Sequence, residues 1–93
     1  MSRESKIEKE VCEYAESKGL EHRKLQWAGR RDAPDRIFWG QGVYPFVIEF
    51  KRPNGEFRRG QRMELASLRE AGMDARMCDS VEQGKEIIDA HTK

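Results

Sequence analysis

Residues 43–51 constrain this chain more than any other stretch, because their side chains sort onto two strand faces of different chemistry. In an extended strand side chains alternate with a period of two. Phe46, Ile48 and Phe50 therefore share one face and read as core. Val47, Glu49 and Lys51 share the other, with the two charged groups about 6–7 Å apart at the end of a strand that otherwise reads as buried. An unpaired charge is costly to bury, so Glu49 and Lys51 need partners. The plainer alternative, a salt-bridged strand face at the surface, is disfavoured by the strong hydrophobic residues on both sides.

A divalent cation held between Glu49 and a second carboxylate meets that need, and the nearby ammonium can then serve chemistry on a phosphate. Asp35 is the natural second carboxylate. Pro34 fixes its own φ and biases Ala33 toward an extended conformation, which delivers Asp35 to the start of a strand over 36–39. Gly40-Gln41-Gly42 closes a hairpin between this strand and the one carrying Glu49. An aspartate after proline is often only a turn residue. The Glu49-x-Lys51 pair downstream favours ligation here.

An aspartate, a strand-turn-strand spacer and Glu-x-Lys resemble the PD-(D/E)xK nuclease pattern, and more closely the virus-type replication-repair nuclease (VRR-NUC) family. The resemblance runs nearly end to end, through Glu8 on an early helix, Pro34-Asp35-Arg36, Glu49-Phe50-Lys51 and Gln61. It implies a restriction-endonuclease-like mixed sheet flanked by helices. It also implies metal ligation by Glu8, Asp35, Glu49 and the carbonyl oxygen of Phe50. Asp35, Glu49, Lys51 and Gln61 take the catalytic roles, with Gln61 orienting the site or a phosphate. The same Gln61, at the start of a helix, otherwise reads as a solvated side chain. Glu4 is the rival to Glu8 if the register is shifted. One departure stands out: the family usually has a glycine where this chain has Asp32.

At 93 residues the chain is long enough for one domain spanning 1–93 with a modest core, near the small end of independent stability. Its hydrophobic fraction of 37% against 38% charged is lean, which favours burying more surface by dimerisation. No run approaches the roughly 20 apolar residues of a membrane span, and the first residues lack the apolar segment of a secretory signal. The expected location is cytoplasmic, with no membrane contact. Cys12 and Cys78 lack metal-site spacing and read as reduced, partly buried thiols.

A net charge of only +1 by itself argues against a nucleic-acid partner, but the distribution of charge argues for one. Arg30, Arg31, Arg36, Lys51, Arg52, Arg58, Arg59 and Arg62 crowd the middle, while Glu4, Glu8, Glu10, Glu13 and Glu16 load the first helix with acid. A basic surface around an acidic metal site suits a phosphate backbone. Arg30, Arg31, Arg36, Arg52, Arg58, Arg59 and Arg62 are the expected DNA contacts. The last three lie near a helix start, where backbone N–H groups also favour anions. Trp27 and Trp39 are more often core or interface aromatics than base-stacking platforms. His22 and His91 are too scattered for a histidine-based nuclease, and a lone asparagine, Asn54, disfavours an HNH-type site.

The expected element order is αβββαβα. Ser5-x-x-Glu8 reads as a capping box opening a helix with Ile7, Val11, Tyr14 and Ala15 inward and Gly19 as its stop. A strand is expected over 21–27, followed by an Arg-rich loop. Strands over 36–39 and 43–51 form the hairpin, with Pro45 marking an edge or a bulge. A helix over 59–71, a strand over 75–78 and a helix capped by Ser80-x-x-Gln83 complete the chain. With these readings, the VRR-NUC resemblance implies a Mg²⁺- or Mn²⁺-dependent, structure-selective DNA endonuclease, with a homodimeric resolvase of four-way junctions as the leading form. The alternatives are a duplex or flap nuclease of the same superfamily, and an inactive DNA-binding module of the same fold.

Overall fold

The computed structural model describes residues 2–93. Helix α1 (Arg3–Ser17) is followed by strands β1 (Glu21–Lys24), β2 (Arg36–Gly40) and β3 (Val43–Phe50), helix α2 (Arg59–Glu70), strand β4 (Asp74–Cys78) and helix α3 (Val81–His91). This is the expected order αβββαβα. The four strands lie side by side as β1-β2-β3-β4, antiparallel except for the parallel pair β3 and β4. A parallel pair cannot be joined by a tight turn, and α2 supplies the crossover between them.

The two faces of β3 build two cores. Phe46, Ile48 and Phe50 pack with Ile7, Val11, Cys12 and Ala15 of α1 and Ile87 and Ile88 of α3. On the other side Val47 meets Leu65 of α2 and Ala75 of β4, with Leu25, Ile37, Leu68, Met73 and Met77 around them. Cys12 and Cys78 are free and buried, and burial pushes both thiols up to about 11. Where α1 and α3 touch, Gly84 leaves no room for a side chain: a Cβ there would lie 2.2 Å from Val11 Cγ2.

Three local expectations are corrected. Helix α1 opens on Ser2 rather than Ser5, because the Ser2 hydroxyl accepts from the Ser5 N–H at 3.1 Å and places Ser5 inside the first turn. Glu8 is therefore not part of a capping box. Strand β1 stops at Lys24 instead of reaching Trp27. Lys24 pairs with Arg36 and Leu25 N–H still donates to Asp35 O at 3.1 Å, but the next partner is Pro34, which has no N–H to extend the ladder. Tyr14 is half-buried, its hydroxyl donating to Asp89 on α3 at 2.7 Å. Pro45 lies in an interior strand, where a register shift between Phe38 and Gly40 breaks the β2 ladder and pairing with β4 begins only at Phe46. The bulge is what accommodates it.

Candidate metal and phosphodiester site

Pro34 is fully buried, and this anchors the turn that presents Asp35 beside the end of β3. The backbone N–H of Phe50 donates to Asp35 Oδ2 at 2.7 Å. In an extended residue N–H and C=O point to the same flank, so the Phe50 carbonyl faces the Asp35 side as well. One residue earlier, Glu49 points to the opposite face of the sheet from the Phe46 core and is only 4% exposed. Its Oε2 accepts from Gln61 Nε2 of α2, and its Oε1 is buried with no hydrogen-bond partner. The Asp35 and Glu49 carboxyl groups are close enough to shift each other's titration.

Two carboxylates in so little water repel. Burial first, and then the charge of Asp35, push Glu49 up to about 8. Burial also raises Asp35, with the charges of Glu8 and Glu4 adding to the rise and the Phe50 N–H opposing it. An orphaned buried carboxylate oxygen, a second carboxylate against it and a backbone carbonyl on the same flank form a hard-oxygen donor set of the kind that Mg²⁺ or Mn²⁺ takes. The residues fit the ion.

Glu8 does not converge on that set. Its Oε2 accepts from Arg36 Nε at 2.7 Å, and Arg36 reaches on to His22 Nδ1 at 3.1 Å. His22 in turn meets Glu16 at 2.6 Å. Among the described residues no three His, Cys, Asp or Glu side chains are gathered for a metal. Glu4, one turn earlier, lines a cleft of about 410 Å³ together with Ser2, Arg3, Lys51, Arg52, Gly55 and Glu56. Lys51 is half-buried there, its ammonium 5.9 Å from the Phe57 ring centroid.

The predicted arginines divide. Arg31, Arg52, Arg59 and Arg62 are exposed. Arg36 is half-buried in its pairing with Glu8. Arg30 is exposed but contacts Glu64 at 3.3 Å, and Arg58 contacts Asp32 at 2.8 Å. Glu64 also accepts from Trp27 Nε1 at 2.6 Å, which makes Trp27 a clamp between the loop and α2 rather than a free stacking platform.

No protein-family model and no curated protein matches the chain. A solved structure described as "VRR_NUC domain" does, at 27% identity and a TM-score of 0.86, over 96% of this chain and 97% of the other. The chain has the fold of a VRR-NUC domain. That fold is the restriction-endonuclease-like one, and the family of the matched domain is a nuclease family.

Within this fold the departure at residue 32 has a geometric explanation. Asp32 has φ +71°, the left-handed region that glycine adopts freely and that aspartate tolerates better than most residues. Its side chain lies against the first turn of α2, where a Cβ on Gly60 would come within 2.2 Å of Asp32 Oδ2. Sequence reading missed this contact and that of Glu64. The available signal was Gly60 itself, a poor helix former placed just inside a helix.

Proposed function

We propose that this chain is a Mg²⁺- or Mn²⁺-dependent, structure-selective DNA endonuclease that acts as a homodimer, with the four-way junction as its leading substrate. The observation that carries the reading is the buried Glu49 carboxylate, set against Asp35 with one oxygen left without a partner. A binding-only protein gains nothing from acidic groups aimed at phosphates.

Asp35, Glu49 and the Phe50 carbonyl would hold the cation, with Glu8 released from Arg36 or Glu4 completing the set. When bound, such an ion neutralises charge building on the scissile phosphate and lowers the pKa of water. Gln61 donates to Glu49 and fixes which carboxylate oxygen remains free. Lys51 offers an ammonium in the cleft, to orient the attacking water or to stabilise charge on the pentacovalent phosphorus. Arg31, Arg52, Arg59 and Arg62 hold the backbone on either side.

With a radius of gyration of 12.6 Å, one copy spans about one helical turn of duplex and carries one such site. One site cuts one strand. Resolving a junction takes two symmetric incisions, which a two-fold dimer supplies. The exposed Tyr44 (92%) and Met63 (58%) are apolar surface for a second copy to cover. Trp27 and Trp39 are half-buried within the chain and contribute less than the sequence suggested.

The test is a panel of labelled duplex, flap, fork, four-way junction and single-stranded DNA, incubated with Mg²⁺ and with EDTA. Symmetric, cation-dependent cleavage of the junction ahead of the others is the expected result, with light scattering showing a dimer. A monomer that cuts linear duplex equally fast makes the protein a duplex nuclease. Binding without cleavage under any cation makes it a binding module.

A further inference from the structure

Asp32 stands at the crossing of three elements of the site. It precedes Asp35 by three residues, contacts the Arg58 guanidinium at 2.8 Å and lies against Gly60 on the first turn of α2. Arg58 is the residue before α2, and its backbone N–H donates to Gln61 Oε1 at 2.9 Å. With its oxygen held there, the Gln61 amide turns its NH₂ to Glu49. A continuous chain of contacts thus runs from the loop that carries Asp35, through Asp32, Arg58 and Gln61, to the carboxylate on β3.

Resting on the nuclease reading above, we propose that Asp32 is a positioning residue, which clasps the Asp35 loop to the start of α2 and so holds Gln61 on Glu49. The local geometry is built for this contact at the expense of easier choices. A non-glycine residue at φ +71° is strained, and a glycine in the first turn of a helix lowers its propensity. Each concession makes sense beside the other: Gly60 vacates the space that the Asp32 carboxylate occupies. Trp27 and Arg30 grip Glu64 on α2 further along, so removing the Asp32 contact frees one end of the loop without detaching it. The charge on Asp32 also occupies Arg58, which leaves Arg59 and Arg62 as the uncommitted cations of that turn.

The Asp32→Gly variant keeps the backbone conformation, relieves its strain and deletes the clasp. In wild-type protein the side-chain NH₂ of Gln61, observed by ¹⁵N NMR without added metal, is expected away from the free-glutamine position. In Asp32→Gly it moves toward that position and broadens, while the melting temperature stays near wild type. Cleavage then falls about 10- to 100-fold in kcat, with KM for DNA little changed, and Asp32→Asn recovers part of the loss. Gly60→Ala, whose methyl expels the carboxylate, reproduces the Gln61 shift although alanine favours the helix. An unmoved Gln61 resonance in both variants overturns the proposal whether or not the protein cleaves DNA. A change confined to KM overturns it too, and makes Asp32 a surface charge acting on DNA affinity. Failure of wild-type protein to cleave any substrate sinks the nuclease reading alone, since the NMR result stands apart from it.

Discussion

The N–H of Phe50 donates to Asp35 Oδ2 at 2.7 Å, joining two residues fifteen positions apart and fixing one carboxylate beside the strand that carries the other. This bond leaves the other Asp35 oxygen for a cation. Most of what is testable about the site follows from that arrangement.

Asp35→Asn and Glu49→Gln each remove a charge with almost no change of volume. Cleavage should fall by roughly 10²–10⁴, equivalent to about 3–5 kcal/mol of transition-state stabilisation, with the fold intact by circular dichroism. Wild-type turnover by either variant is incompatible with the metal assignment.

The raised position of Glu49 gives a pH signature in metal-free protein. With its ordinary value at 4.5 and its folded value at about 8, the folded state keeps a proton that the unfolded chain has already lost between those limits. The native state then binds more protons, so stability falls as pH rises from about 4.5 to 8. Melting temperatures in EDTA should decline over this window. Adding Mn²⁺ should reverse the trend at the alkaline end, and Glu49→Gln should flatten it.

Lys51→Ala should depress cleavage while leaving Mn²⁺ affinity nearly intact, since an ammonium ligates no cation. Titration calorimetry separates the two effects. A weaker metal isotherm would show instead that Lys51 chiefly supports the carboxylates.

Neutralising Arg59 or Arg62 should weaken DNA binding on any sequence and lower the salt slope by about one unit per lost phosphate contact. Arg58→Ala should change the slope less, because its guanidinium is already engaged by Asp32. Equal slopes for all three would mean that DNA displaces that pair.

Gly84→Ala should destabilise the protein by about 1–3 kcal/mol through overpacking, since the new methyl meets Val11 at the crossing of α1 and α3. Urea denaturation with an unchanged m-value checks it. Stability equal to wild type would show that the two helices separate easily.

Much of the fold was legible because it follows from local periodicity. The alternation in β3 assigned Phe46, Ile48 and Phe50 to one core and Glu49 to the opposite face, and the proline-aspartate turn placed Asp35 next to it. Those are properties of backbone geometry within a single hairpin, and a sequence carries them directly. The partners of charged side chains are different, because they depend on which elements pack together. Glu8 faces Arg36, Arg58 faces Asp32 and Trp27 reaches Glu64, across separations of 28, 26 and 37 residues. No local spacing encodes such pairings. Once the sheet and α2 are docked, the cost of leaving a half-buried charge alone selects the nearest opposite one, and that choice belongs to the tertiary structure.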